Sequence, residues 1–361
     1  MKKRRAAWGV WLLCSLLLYL FENNTGTRTL LLAGVLVPAF SALCARFAAK
    51  KAVCTLEVPK ACKKGKMAAC RLVAGGSRLL LFSVVTASLC ARNLLSAVET
   101  QLTVEAGGAT RIQKDFSVSD SCCGTIRLAA EQILISDMFG LFSFPAAAFE
   151  PQYISVLPEL LSVTLNIAES AALAESSERW SQLRPGNDPS ETFAIREFIP
   201  GDPIRQIHWK LSQKADKLMI RELGLPVSDD ILLLFESALS PASRPKDTPA
   251  AAEALLSVSS ALLEDAVPHT IAWRSAALGE LESIEILNGE DMKTASAAIL
   301  ASESQYSDET VGPAFLKSGE RLFAHIAVFS ARPDTDVVSL LGGGRVNLVL
   351  PESLAGSASY G

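Results

Sequence analysis

The chain has 361 residues, 49% of them apolar and 20% charged, with a mean hydropathy of +0.28. This length suits two or three domains, and the composition is more apolar than that of an ordinary soluble domain. The formal charge of −4 is unevenly distributed, because basic residues cluster beside apolar runs in the first 66 residues and the remainder is acidic. A nucleic-acid-binding protein would spread its basic residues over a folded face, so this pattern favours a lipid bilayer and no nucleic acid as the partner.

Two uncharged apolar runs open the chain and predict a transmembrane helical hairpin over residues 1–50, with spans at about 6–22 and 29–47. Each run is close to the ~20 residues that cross a bilayer. The alternative for the first run is a cleaved signal peptide, since MKKRR is a suitable n-region. A second apolar run follows at once and no A-x-A-like cleavage site precedes it, which favours the hairpin.

The distribution of lysine and arginine predicts the orientation of this hairpin. Basic residues lie before the first run and after the second, whereas the connecting loop holds only Glu22 and Arg28. Positive charge is retained on the cytoplasmic side, so we expect a multi-pass protein of the cell membrane with both termini in the cytoplasm.

Residues 51–150 show short segments of alternating hydrophobicity separated by turn signals, which predict a β-sandwich. Eight cysteines are present, and none has the spacing of a zinc site. We expect the adjacent Cys122 and Cys123 to be strand residues. Residues 151–190 are treated as a connector, because much of this segment is polar.

Residues 191–361 alternate apolar strands with helical segments, which predicts an α/β doubly wound sheet. The continuously apolar run at 229–237 is typical of a buried parallel strand. In such a sheet, ligands bind at the carboxyl ends of the strands, here just after Phe235. A strand, a turn at Gly201, a helix and a second strand precede this sheet.

The segment EFIPGDPIRQIHWK concentrates polar and aromatic residues before the sheet. Asp202 and Pro203 are typical of the N-cap and first position of a helix. On that helix Ile204, Ile207 and Leu211 would share one buried face, and Trp209 is expected to be a buried aromatic. The candidate residues, structural or partner-binding, are Arg196, Phe198, Gly201, Asp202, Arg205, Ile207, His208, Trp209, Lys210, Arg221 and Glu222.

The stretch FAIREFIPGDPIRQIHWKLSQKADKLMIREL resembles the signature of the DUF58 family, with Phe198 where tyrosine is usual. ILISDMFGLFSF, at 133–144, is similar to the Asp-Pro-Phe-Gly-Leu-Phe element of that family, with Met138 for proline. The resemblance implies a membrane-anchored bacterial protein with a von Willebrand factor A-like domain. It also implies an association with a MoxR-type AAA+ ATPase and a transglutaminase-like membrane protein.

A von Willebrand factor A-like domain normally holds a divalent cation through an Asp-x-Ser-x-Ser motif. Here the equivalent positions are Glu236, Ala238 and Ser240, and Ser330 and Ala331 stand where Ser-Asp-Gly would follow, with Asp334 beyond them. Because Mg²⁺ requires oxygen ligands in near-octahedral geometry, this degenerate site predicts no metal and no cofactor.

These observations predict a membrane-anchored, cytoplasm-facing scaffold or adaptor that binds protein partners and is not an enzyme. Two alternatives stay open: a hydrolase that uses Asp202, Arg205 and His208, and a metal-dependent adhesion module.

Overall fold

The computed structural model describes the chain in segments, at residues 2–22, 24–161, 163, 179–180, 188–224, 226–241, 243–274, 280–307, 310–318, 322–332 and 346–349. It divides into two units, Met1–Glu159 and Leu160–Gly361. Asp334 and most of the predicted connector at 151–190 lie outside the described residues.

The first unit begins with two long helices, α1 (Lys2–Phe21) and α2 (Thr25–Lys51). Asn24 forms a capping box, in which its side chain accepts the Gly26 N–H and its own N–H donates to Thr27 Oγ1. This cap begins α2 earlier than the predicted span at 29. Both helices are long and apolar enough to cross a membrane, which confirms the predicted pair of apolar helices; the crossing itself stays a prediction.

The two helices pack closely at Gly34. Trp8 Nε1 donates to the Gly34 carbonyl oxygen (3.2 Å), and a Cβ atom at Gly34 would overlap the Trp11 ring. Glycine is therefore required at this position for the close approach of the helices.

Helix α2 has different neighbours along its length. Its final turns present small buried residues, among them Ala45, Ala48 and Ala49, which belong to the core of the following β-rich region. The opposite face carries Phe40, Leu43 and Phe47, which are apolar and exposed. Because these residues follow i, i+3, i+7 spacing, one side of the helix packs on strands while the other stays uncovered.

The β-rich region of the first unit contains nine strands, whose pairing forms two sheets. One sheet has the order β1-β3-β6, and the other has the order β2-β9-β7-β4-β5, with β8 paired to β7. Ala68 and Cys70 from the first sheet and Leu128 and Ile154 from the second share one core cluster, so the sheets pack face to face. The strands are β1 (Val53–Glu57), β2 (Ala61–Lys63), β3 (Ala68–Gly75), β4 (Ser83–Asn93), β5 (Glu99–Gly107), β6 (Ile112–Val118), β7 (Gly124–Asp137), β8 (Ser143–Pro145) and β9 (Gln152–Leu157).

Most strand segments predicted for this region are found, with three differences. Residues Arg78–Phe82 form a 3-10 turn capped by Ser77 and not the start of a strand. Cys122 and Cys123 are buried just before β7 and not within a strand, because the Asp120 side chain accepts the Cys122 N–H and holds a bend there. Strand β9 pairs with β7, so the β-rich region extends beyond residue 150.

The second unit contains a six-stranded sheet of order β15-β14-β13-β16-β17, in which β10 pairs with the beginning of β13. Strand β13 is parallel to β14 and β16, as predicted for the apolar run, whereas the edge strand β15 is antiparallel. A separate hairpin of β11 and β12 precedes this sheet. The elements are β10 (Arg179–Trp180), β11 (Asp188–Glu197), a 3-10 turn (Ile204–Gln206), α3 (Trp209–Ala215), β12 (Met219–Gly224), β13 (Pro226–Glu236), α4 (Asp247–Glu264), β14 (His269–Arg274), β15 (Leu281–Ile286), α5 (Gly289–Ala301), α6 (Val311–Ser318), β16 (Leu322–Ser330) and β17 (Val346–Val349).

Burial explains the position of β13 in the sheet. Leu232, Leu234 and Phe235 are fully buried, and Ile326 and Val328 of β16 lie beside them in register. A strand buried on both faces is continuously apolar, which is the pattern seen from 231 to 235. Neighbours β14 and β16 lie on opposite sides of β13, so its carboxyl end marks the point at which the strand order reverses.

We expect Gly34→Val to weaken the packing of α1 on α2. The new side chain collides with the Trp11 ring, and overpacking of this kind costs about 1–3 kcal/mol. The measurement is the free energy of unfolding in detergent micelles titrated with dodecyl sulfate. Gly9→Val is the matched control, since a Cβ atom there meets nothing within 4 Å; equal losses for the two variants would contradict the close contact.

Candidate functional site

The polar cluster predicted around Asp202 forms a charge network centred on Arg196. Arg196 donates Nη1 and Nη2 to the two carboxylate oxygens of Asp202 (2.7 and 2.9 Å) and Nε to Glu222 Oε1 (2.7 Å). Strand register explains the contact, because Arg196 of β11 pairs with Ile220 and Glu222 follows two residues later on the same face of β12. One guanidinium thus joins β11 and β12 to the turn at Ile199–Asp202, which follows β11.

The turn itself positions Asp202. Its N–H donates to the Ile199 carbonyl (3.0 Å), and its Oδ2 accepts the Ile199 N–H (2.8 Å). Pro200 and Gly201, with φ of +114° at Gly201, occupy the two central positions, as in a type II turn. The predicted role of Gly201 as a turn residue is confirmed.

This network changes the acidity of its members. The hydrogen bonds from Arg196, followed by the Ile199 N–H, lower the pKa of Asp202 from 3.8 to about 2. Hydrogen bonds to the carboxylates of Asp202 and Glu222 raise the pKa of Arg196 above its ordinary value. Asp202 is therefore a permanent anion near neutral pH, and it is already paired.

The predicted helix start at Asp202 was wrong. Residues 204–206 form a 3-10 turn after Pro203, and α3 begins only at Trp209 with His208 as its N-cap. His208 Nδ1 accepts the Leu211 N–H (3.3 Å), and the His208 N–H donates to the Met219 carbonyl (2.8 Å). Asp202 does not cap a helix because Arg196 and the turn occupy its carboxylate.

The predicted buried face was only partly right. Ile207 is buried and bridges to Ile220, and Leu211 is half-buried. Ile204 is 70% exposed and Trp209 is 63% exposed. The 3-10 turn and the bridge at Ile207 break the helical periodicity, so the expected spacing does not bring these side chains to one face.

The region from Ile195 to Glu222, which we call the motif module, therefore carries large uncovered side chains. Five large apolar residues in it are exposed, together with basic residues between them. The apolar set is Ile195, Ile199, Ile204, Trp209 and Leu218, and the basic set includes Arg205, Lys210, Lys214 and Arg221. Phe198 is half-buried, and its N–H donates to the Leu218 carbonyl.

The arrangement does not support acid–base chemistry by Asp202, Arg205 and His208. Asp202 is held by Arg196, His208 serves as a helix cap, and Arg205 is exposed to solvent. A general base must lie within hydrogen-bond reach of the group that it activates, and the two candidate bases are turned to other partners.

A second polar cluster lies at the carboxyl end of β13, where the sequence placed the degenerate cation site. Glu236 is 1% exposed; its Oε1 accepts the Ala238 N–H (2.9 Å) and its Oε2 accepts the Val311 N–H at the start of α6 (2.6 Å). Burial raises the pKa of Glu236, against the opposing effects of those two amides and of Arg332 and Arg274. The carboxylate joins the end of β13 to a helix seventy-five residues later.

The side-chain oxygen atoms at this edge are not arranged as ligands of an octahedral Mg²⁺ site. Both Glu236 oxygens accept backbone N–H groups, Ala238 has no side-chain oxygen, and Ser240 Oγ lies 3.2 Å from Ser243 Oγ. Among the residues that the structure describes, no group of three or more His, Cys, Asp or Glu side chains is placed to hold a metal ion. The expectation of no metal stays a prediction, and we derive no chemistry from a cation here.

Two contributors to this edge were not predicted from the sequence. Helix α6 was not predicted; Pro313 lies in its first turn, where proline is tolerated. Ser243, which contacts both Ser240 and the Ala331 carbonyl oxygen, was also missed. Val311 of α6 lies seventy-five residues after Glu236, and Ala331 lies eighty-eight residues after Ser243, so only the folded sheet brings these groups together.

Comparison with known proteins leaves the class of this chain open. No family model and no curated protein matches it. Among solved structures it is similar to the CARDB domain of a Pyrococcus furiosus protein in complex with di-metal ions, at 13% identity and a TM-score of 0.18 over 29% of this chain and 87% of that one. It is also similar to the alkylpurine DNA glycosylase AlkC of Pseudomonas fluorescens bound to DNA containing an abasic site analog, at 8% identity and a TM-score of 0.20 over 37% and 40%. Similarities at these TM-scores carry no argument about fold or function.

Replacing Asp202 by asparagine should remove a pH-dependent part of the stability. Because folding lowers the pKa of Asp202 to about 2, its ionised form stabilises the fold above about pH 4, and this contribution is lost as the pH falls toward 2. We expect Asp202→Asn to lower the thermal midpoint at pH 7 and to flatten its decline between about pH 4 and 2. Asp216→Asn is the control, since Asp216 is exposed with φ of +54°, which asparagine accepts; a wild-type slope in Asp202→Asn would contradict the network.

Removing the Glu236 carboxylate should destabilise the second unit. Glu236→Ala leaves the buried N–H groups of Ala238 and Val311 without their acceptor, at about 1–3 kcal/mol for each unsatisfied group. We expect a loss of roughly 2–4 kcal/mol in urea denaturation of the full chain. Glu282→Ala, at an exposed position of β15, should change the stability by less than ~0.5 kcal/mol, and similar losses in both variants would refute the role of Glu236.

Proposed function

We propose that this chain is a membrane-anchored, non-enzymatic adaptor whose motif module binds a protein partner. The single observation that carries the proposal is the contrast within that module. Its charged residues Arg196, Asp202 and Glu222 form ion pairs with one another. By contrast, the side chains of Trp209 and Ile204 are exposed to solvent.

The anchoring part of the proposal is supported by α1 and α2. Both helices carry long apolar stretches, and most of their large apolar side chains are exposed, which water would disfavour and lipid would not. Basic residues lie at the beginning of α1 and at the end of α2. By the positive-inside rule, we assign both of these ends to the cytoplasmic side.

The family assignment is likewise a proposal. The resemblance to DUF58 proteins is supported by the position of its most specific residues, since Arg196, Asp202 and Glu222 of the signature meet in one network. A von Willebrand factor A-like arrangement is supported by the parallel pairing of β14, β13 and β16 and by a polar edge at Glu236. The arrangement of the oxygen atoms at that edge does not favour a cation-dependent adhesion module.

The exposed side chains of the motif module have the composition of a binding surface. Tryptophan and arginine are the residues that most often dominate interface energetics, and here Trp209 and Arg205 lie four residues apart, both exposed. The rigid Arg196 network below holds the turn and the hairpin together, so a partner would meet a surface that needs little ordering. The partner we propose is a MoxR-type AAA+ ATPase, with a transglutaminase-like membrane protein as a further member of the assembly.

The test is quantitative co-purification with the full-length chain solubilised in mild detergent from cells that contain its natural neighbours. We expect the wild type to recover an AAA+ ATPase. Trp209→Ala should reduce that recovery by about thirtyfold, the equivalent of a hot spot of ~2 kcal/mol.

Tyr306→Ala provides the matched control, because Tyr306 is an aromatic residue that is 72% exposed outside the motif module. It should leave recovery unchanged. Recovery that is indifferent to Trp209→Ala, or turnover by the purified chain that depends on Asp202 and His208, would overturn the proposal.

A further inference from the structure

We infer that the β-rich region of the first unit dips into the lipid bilayer through an apolar collar formed by Leu81, Phe82, Met138, Phe139 and Phe142. This inference rests on the proposed membrane anchoring and adds a second lipid contact to it. All five side chains are exposed, and they lie on two loops, the 3-10 turn before β4 and the turn after β7.

Both loops are attached to helix α2 at the same level. Ser41 Oγ accepts the Met138 N–H (3.1 Å) and also donates to the Phe82 carbonyl oxygen (3.4 Å). The rings of Phe40 and Phe82 meet edge to face, with centroids 6.3 Å apart. The collar is therefore continuous with the apolar surface of the helix.

The amino-terminal end of helix α1 contacts the second collar loop, which is the turn after β7. Arg5 Nε donates to the Leu141 carbonyl oxygen (2.6 Å), and its guanidinium carbon lies 5.6 Å from the centroid of the Phe142 ring. Gly140, with φ of +66°, lets the turn approach Arg4. The loop is rigid as well, because the buried Asp137 accepts the N–H groups of Phe139 and Phe142 (3.1 and 2.6 Å).

The lengths of the helices place this level within the bilayer. From Glu22, at the hairpin turn, to Arg5 the helix rises about 25 Å, which is less than the ~30 Å of a typical hydrocarbon core. Helix α2 stays apolar on its exposed face as far as Phe47, about 9 Å beyond Ser41. Lipid that covers Phe47 must also reach the collar, which joins α2 at Ser41.

Charge supports lipid as the occupant. Exposed basic residues surround the same end of the helix pair, among them Arg4, Arg46, Lys50 and Arg78. Anionic headgroups would neutralise these charges while the aromatic side chains enter the boundary with the acyl chains. Arg5 donates to the Leu141 carbonyl oxygen and lies over the Phe142 ring, so its guanidinium has partners at the level of the collar, where an unpaired charge would be costly.

The test replaces single residues of the full-length chain by the photocrosslinker p-benzoylphenylalanine and irradiates the protein in nanodiscs of phosphatidylethanolamine and phosphatidylglycerol. Met138 and Phe139 are the collar positions. Tyr153 is the control: it is 54% exposed on β9 and pairs with Arg127, ten residues before the end of β7, or about 33 Å along the strand. Leu16, exposed on α1, reports the anchoring of the helix itself.

We expect lipid adducts at Met138 and Phe139 that exceed those at Tyr153 by at least about tenfold, since an acyl chain is always within reach at the bilayer boundary. Adducts at Leu16 without adducts at the two collar positions would overturn the collar and leave the anchoring intact. Absence of adducts at all positions would overturn both, and adducts to a second protein at Phe139 would show that the collar is a protein interface. Far-UV circular dichroism on each variant confirms that the fold is retained.

Discussion

Helix α2 has two chemically different faces, one of small buried residues and one of large exposed apolar residues, and the organisation of the first unit depends on this contrast. Along its carboxyl-terminal turns, small residues such as Ala45, Ala48 and Ala49 allow strands to approach the helix backbone and share its core. The opposite face carries Phe40, Leu43 and Phe47, each about half exposed within the part of the chain that the structure describes. A helix that served only as a membrane span would not need the small face, and a core helix of a soluble domain would not expose the large one. Ser41 joins the two roles, because its hydroxyl fixes both loops of the β-rich region to the helix.

The two polar clusters of the second unit follow a common principle. In each, a carboxylate is satisfied by donors from distant segments: Asp202 by Arg196 and the Ile199 amide, and Glu236 by the amides of Ala238 and Val311. Each carboxylate thereby orders the chain around it by joining segments that are distant in sequence. Both clusters therefore indicate an architectural role, and the partner binding that we propose is assigned to the exposed apolar side chains of the motif module.

The electrostatic consequences of the clusters differ because their surroundings differ. Around Asp202, a bidentate guanidinium outweighs desolvation, so the pKa falls. Around Glu236, burial outweighs two amide hydrogen bonds and nearby arginines, so the pKa rises. The pKa of a carboxyl group is thus lowered by the cationic partner at the accessible hairpin and raised by burial at the end of β13.

Local pattern in the sequence was enough to predict the two apolar helices, most strands of the β-rich region and the buried parallel strand at the centre of the sheet, because hydrophobic periodicity and turn residues act over a few neighbouring residues. It also indicated that Gly201 lies in a turn. The tertiary structure alone decided that Asp202 does not cap a helix, that Ile204 and Trp209 are exposed, and that α6 supplies an amide to Glu236. These outcomes depend on which distant segment reaches a polar group or covers an apolar one, and periodicity along the chain contains no information about that competition.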